Sequence, residues 1–289
     1  MVLNPAVAAP ARKSANALRL YGSAAARVAR RGRKKAAAET AGATERPVFV
    51  VGAPRSGTTF MGNSLGRLTG FVDLGEVGPL KVAIDELVAL PEDEAARRLE
   101  RIMERVRRLG LARRLRAVEQ TPETSFVLGA VLLAYPQARV VHMVRDGRDV
   151  VCSLLEKGWL RTDRGGADDV GSPYGERARS WVEPVRVPEF QAASEATRAA
   201  WAWRSYLVAA KAGAPEATLE VRYEDLARDP DLTAARIAGH IGADADELAA
   251  ALRDVHAQSV GRWRRELSEE QVADVEAEAG PLLRELGYE

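Results

Sequence analysis

Long apolar runs are missing from this chain, and no stretch approaches the roughly 20 residues that carry a helix across a bilayer. Met1 to Arg46 also lacks a compact apolar core ahead of a cleavage site, so no secretory signal is expected. Cys152 is the only cysteine, which excludes an intrachain disulfide and fits a reducing compartment. Histidine is nearly as scarce: His142, His240 and His256 stand far apart, outside any His/Cys/carboxylate grouping at ligand spacing, so no metal is expected. Nor is one sign of charge in excess. Forty-two Lys and Arg against 41 Asp and Glu leave a formal net charge of +1, which argues against bulk polyanion binding but permits local basic patches. What remains is ordinary for a soluble enzyme: 289 residues, 46% apolar and 29% charged, enough to bury a full core. A cytoplasmic location is expected.

The first 45 residues differ from the rest. They form an Ala-rich basic extension carrying Arg12, Lys13, Arg19, Arg27, Arg30, Arg31, Arg33, Lys34 and Lys35. A helix over residues 11–31 would put Leu18, Tyr21, Ala25 and Val28 on one face. Two readings stay open: a helix lying on an anionic membrane surface, and a frayed soluble leader, which the short apolar side chains favour. Residues 46–289 read as one domain.

Within that domain, strands alternate with helices. Pro47 to Val51, Arg139 to Val144 and Thr218 to Arg222 have the β-branched content of buried strands. Thr58 to Leu68, Glu195 to Lys211 and the pattern between Lys81 and Arg116 are helical. Residues Gly158 to Arg177 have no period and read as a loop over an acceptor. The alternation predicts an α/β, P-loop-like three-layer fold, with a central, mainly parallel sheet flanked by helices.

The chemistry gathers at "GAPRSGTT", residues 52–59. Gly52 and Gly57 have P-loop spacing, but Thr58 stands where the phosphate-gripping lysine belongs. Backbone amides of such a loop, feeding a helix N-terminus, bind an anion whatever the side chains are. Ser56, Thr58 and Thr59 add hydroxyls, and Arg55 adds a cation able to fork across two oxygens. A kinase would also want the lysine and a magnesium-holding acid.

These residues resemble the sulfotransferases that use 3′-phosphoadenosine 5′-phosphosulfate (PAPS), with a style of motif similar to the bacterial and tyrosylprotein branches. "GAPRSGTT" looks like their 5′-phosphosulfate loop, with Arg55, Ser56, Gly57, Thr58 and Thr59 as contacts. "VVHMVRDGRDVVCS" is similar to the segment whose Arg and Ser, eight residues apart, hold the 3′-phosphate; here they are Arg145 and Ser153. "VRYEDLARDP" resembles a later strand and turn whose tyrosine, here Tyr223, lies near the adenine. "VGRWRREL" looks like the tail that folds back on the nucleotide, with Arg262 as a contact. The resemblance covers roughly residues 46–265. It implies sulfuryl transfer to an acceptor hydroxyl on a carbohydrate, glycolipid or other small metabolite, with release of the bisphosphonucleotide PAP and no metal. A P-loop small-molecule kinase and a non-catalytic nucleotide-binding module are the rival readings.

The acceptor proton needs a base. No histidine falls between the two donor motifs, where many cytosolic members carry theirs. In "FVDLGEVGPLK", Glu76 lies 21 residues after Arg55, a spacing similar to that of the glutamate base in the tyrosylprotein branch. Glu76 is therefore the catalytic candidate alongside Arg55, with Asp73 and Glu86 as nearby alternatives. In "VEQTPETS", Gln120 stands where related enzymes often carry a sulfuryl-gripping lysine. Trp159, Trp181, Trp201 and Trp203 are candidates either for stacking on an acceptor or for the core.

Overall fold

A computed structural model describes residues 5–32, 46–110, 114–166 and 181–288. The side chains of Arg12 and Lys13, residues 33–45 and the expected loop beyond residue 166 lie outside them. Five strands form one sheet: β1 (Val48–Val51), β2 (Phe71–Gly75), β3 (Arg116–Glu119), β4 (Arg139–Val144) and β5 (Thr218–Arg222). Their order is β2-β3-β1-β4-β5, and every pairing is parallel. Helices connect them: α1 (Pro5–Gly32), α2 (Thr58–Leu65), α3 (Gly78–Ala89), α4 (Glu92–Leu109), α5 (Leu128–Ala134) and α6 (Gly147–Lys157). Then come α7 (Val187–Ala192), α8 (Glu195–Gly213), α9 (Tyr223–Arg228), α10 (Pro230–Ile241), α11 (Ala245–Leu252), α12 (Trp263–Glu266) and α13 (Glu269–Glu285).

The alternation of side chains along β1 builds the three layers. Phe49 and Val51 join a core with α3, α4 and α5, whereas Val48 and Val50 face the opposite core with α2, α10 and α11. A third cluster, centred on α6, α8 and α13, includes Val144 at the end of β4. Both faces of the sheet are covered, as an all-parallel sheet requires.

Two strands escape the sequence pattern. β2 carries Asp73 at its centre, and β3 begins and ends with charge, yet Asp73, Arg116 and Glu119 are all buried. The helical stretch between Lys81 and Arg116 is two helices separated at Pro91, and it ends before β3. α2 stops at Leu65, short of Leu68.

Residues 18–31 do not form a frayed leader. Leu20, Ala24, Ala25 and Val28 are buried; Ala24 and Val28 enter the same core cluster as α3 and α4, with Tyr21 packed against it. Leu18 points away, 73% exposed, so the four-residue face expected of a membrane helix is divided. Its buried part is spent on the protein. Among the described residues no helix is long and apolar enough to cross a membrane.

The chain leaves β1 toward the β3 and β2 side and later returns to lay β4 on the other flank. The crevice beyond the carboxyl ends of β1 and β4 is thus a switch point, where open α/β sheets hold ligands.

Candidate active site

The loop that follows β1 enters that crevice with an unusual backbone. Gly52, Arg55 and Gly57 have φ of 136°, 75° and 95°. A side chain on Gly52 would strike the Met143 carbonyl of β4, and one on Gly57 would come 2.7 Å from the Tyr223 ring. Only glycine fits either place. No side chain caps α2, so the helix presents its first turn to the crevice. Ser56 Oγ is fully buried there without a hydrogen-bond partner.

Arg145 follows β4 directly and meets the loop. Its guanidinium donates to the Arg55 carbonyl at 3.2 Å and to the Ser259 carbonyl, and lies 4.7 Å from the centroid of the Tyr223 ring. It is 6% exposed, and its Nε has no partner. An ion pair with Asp149 is long, at 3.9 Å. Arg55 reaches back across the crevice, where its Nε donates to Ser153 Oγ at 2.8 Å. Partial burial, then the charges of Arg145 and Arg262, hold the Arg55 guanidinium below the usual arginine range, with Glu156 opposing. Cations held this close call for an anion between them.

Tyr223 is buried under this cluster and donates to the His256 carbonyl at 3.2 Å. Arg262 sits on the tail segment and is ion-paired with Glu156 and Glu266. Asp149 fixes that tail by accepting from the amides of Gly261 (2.7 Å) and Trp263 (3.0 Å). Trp203, wholly buried, donates from Nε1 to the Arg145 carbonyl at 3.1 Å and packs where a side chain on Gly147 would stand.

Glu76 follows β2 and lines a cleft of about 330 Å³ together with Arg55, Thr58 and Thr59. Lys81 Nζ pairs with its Oε2 at 2.8 Å. The two alternatives to Glu76 fall elsewhere. Asp73 is buried against Arg31 of α1 and accepts from the Gly75 amide, and burial raises its pKa. Glu86 pairs with Arg98 on the surface. Gln120 is buried beneath α2; with its amide nitrogen turned toward the helix it donates to the carbonyls of Thr58 (2.9 Å) and Thr59 (3.2 Å). It supports the loop from below. Trp159 and Trp181 line the cleft, while Trp201 and Trp203 are core. His142 is buried in β4, with burial and Lys211 pushing its pKa down to about 4. Cys152 is buried, and burial pushes its thiol up to about 12.

Sequence reasoning missed Lys81, Glu119 and the bonds by which Asp149 holds the tail and Trp203 holds the Arg145 carbonyl; it placed Trp203 among the candidates for stacking or the core. Glu119, at the end of β3, accepts from the Thr121 amide (2.7 Å) and the Thr124 hydroxyl (3.0 Å), and burial pushes its pKa up to about 8. Asp149 left one trace in the sequence, its place four residues after Arg145, which suits an ion pair.

A glycine-bounded loop after the central strand opens into a helix and is ringed by arginines at the switch point of a P-loop-like three-layer fold, an arrangement suited to an anion. The chain belongs to the sulfotransferase family, whose sequence profile matches residues 47–247. Among solved structures it is similar to the sulfotransferase domain from the curacin biosynthetic pathway, at 16% identity and a TM-score of 0.53, over 84% of this chain and 98% of that one. The sulfotransferase domain of the Synechococcus PCC 7002 olefin synthase gives 18% identity and a TM-score of 0.48, over 80% and 94% of the two chains. A Mycobacterium avium sulfotransferase gives 16% and 0.48, over 85% and 78%. An uncharacterized protein of Aquifex aeolicus is 30% identical over 132 residues, which are 39% of this chain and 17% of that protein. The match therefore spans about a sixth of that relative's length.

Proposed function

We propose that this chain moves a sulfuryl group from PAPS to an acceptor hydroxyl by in-line displacement. The loop amides, Arg55, Ser56, Gly57, Thr58 and Thr59 would hold the 5′-phosphosulfate, while Arg145 and Ser153 hold the 3′-phosphate. Tyr223 would lie near the base, and Arg262 would close the site from the tail. Glu76 would take the acceptor proton as the acceptor oxygen bonds to sulfur. The sulfur–oxygen bond to the nucleotide breaks with its electron pair staying on the phosphate, and PAP departs. Arg55 and the helix N-terminus offset that growing charge.

The observation that carries this reading is the convergence of Arg55, Arg145 and Ser153 at the carboxyl edge of the sheet, with a buried Arg145 Nε and a buried Ser56 Oγ still lacking partners. Such groups are costly to bury unless a ligand meets them. Calorimetry with PAP, with the same nucleotide lacking its 3′-phosphate and with magnesium ATP tests it. PAP should bind most tightly. Equal affinity with and without the 3′-phosphate would refute the assignment, and preference for magnesium ATP would favour phosphoryl transfer.

A further inference from the structure

Two clefts meet at Glu76 and Thr59. The first is the one already described, and away from the loop it is walled by Leu154, Trp159, Leu160, Trp181 and Tyr206. The second, about 340 Å³, opens between α1 and α2, and its α1 wall carries Arg19, Ser23, Arg27 and Arg31. That wall belongs to α1, which precedes the 47–247 span matched by the family profile.

The charges in the second cleft are not balanced. Arg31 is occupied by Asp73 and by Asn63 Oδ1 at 3.1 Å. The Glu76 carboxylate is occupied by Lys81. Arg27 donates to the main-chain oxygen of Glu76 at 3.3 Å, a neutral acceptor, and feels Asp73, which Arg31 already holds, only through its charge. A half-buried guanidinium facing an open cleft is a ready fork for a planar or tetrahedral oxyanion.

Resting on the sulfuryl-transfer reading, we infer that the acceptor is an amphipathic molecule with an anionic group. An apolar or aromatic body would sit against Trp159 and Trp181, the hydroxyl would reach Glu76 at the junction, and a carboxylate, phosphate or sulfate would extend to Arg27. The donor claims Arg55 and Arg145, so the acceptor's charge has to be met on the α1 side. α1 then serves as a specificity element as well as a packed helix.

The test uses the full chain saturated with PAP and two matched probes, 3-phenyllactate and its neutral amide, in which the hydroxyl stands between the aromatic body and the charge. The acid should bind about tenfold more tightly, and Arg27→Gln should erase the difference while Arg27→Lys keeps most of it. Unchanged PAP affinity and thermal unfolding in both variants would confirm that they fold. Equal affinity for acid and amide, no binding of either at millimolar concentration, or an acid preference that survives Arg27→Gln would each overturn the inference. An intact, Arg27-dependent preference in a protein that fails to bind PAP would uphold the cleft and sink the donor reading alone.

Discussion

Arg145 is the residue on which donor recognition should turn. Arg145→Ala would leave a 3′-phosphate in a desolvated site without its charged partner, and PAP affinity should fall by about 2–5 kcal/mol in calorimetry. Ser153 offers one neutral hydroxyl already shared with Arg55, so Ser153→Ala should cost only about 1 kcal/mol. Glu76→Gln keeps the size of the side chain but removes the proton acceptor. Turnover should drop by about 10²–10⁴-fold, the usual contribution of a general base, with PAP affinity nearly constant. A change confined to the Michaelis constant would make Glu76 an acceptor-binding group instead. Asp73→Asn serves as the contrast: Asp73 lies against Arg31, outside the loop cleft, and its effect should appear in stability first. The glycine-bounded loop that carries Arg55, Ser56, Thr58 and Thr59 was legible in the sequence because a turn between strand and helix needs glycines and hydroxyls at fixed local spacing. The bonds of Asp149 and Trp203 were not, because they are made across 112 and 58 residues of chain.

At the scale of elements, legibility followed composition and not burial: β2 and β3 are buried throughout and hide, while the mostly half-buried β5 shows. β1 and β4 announce themselves because their side chains are mostly apolar, many of them β-branched, and β5 because Thr218, Leu219 and Val221 keep that character. β2 and β3 hide because charged residues interrupt them, Asp73 and Arg116 meeting partners distant in sequence and Glu119 meeting Thr121 and Thr124 just beyond the strand. Arg116, for instance, donates to the carbonyls of Arg46 and Ile241. α1 shows the same dependence on context. Its sequence suits a membrane surface, a leader or a packed helix, and only the core cluster decides. Val28 is wholly buried, so Val28→Ala should lower the unfolding free energy in urea by about 1–2 kcal/mol through lost burial and the cavity left behind. Leu18→Ala, at an exposed position of the same helix, should stay within about 0.5 kcal/mol. Two silent substitutions would mean that α1 is not held in solution.

For the molecule as a whole, two buried groups should set opposite limits on stability. His142 has a folded pKa of about 4 against 6.5 unfolded, because burial disfavours its charged form. The unfolded chain therefore takes up that proton first as pH falls. Stability contributed by the neutral ring is complete above about 6.5 and should be lost toward pH 4, by up to about 3 kcal/mol. Glu119 works in the other direction. Burial raises its pKa to about 8 from 4.5, so its contribution is complete below 4.5 and disappears as pH rises through 8. Urea midpoints measured across pH should show both slopes. His142→Gln should flatten the acid limb and Glu119→Gln the alkaline one, even if each lowers the baseline. Slopes unchanged by these substitutions would assign the pH dependence to other groups.

Arg55 is the only non-glycine residue among those described with a left-handed backbone, which costs an ordinary side chain about 1–2 kcal/mol. Its guanidinium is also crowded by those of Arg145 and Arg262. Glycine at this position would relieve both the torsional strain and the repulsion. Directed evolution for heat resistance alone would therefore enrich Arg55→Gly and converge on robust, inactive protein. Any library built on this scaffold needs turnover as a second filter, because the residue that the proposed chemistry asks most of is one that folding would gladly discard.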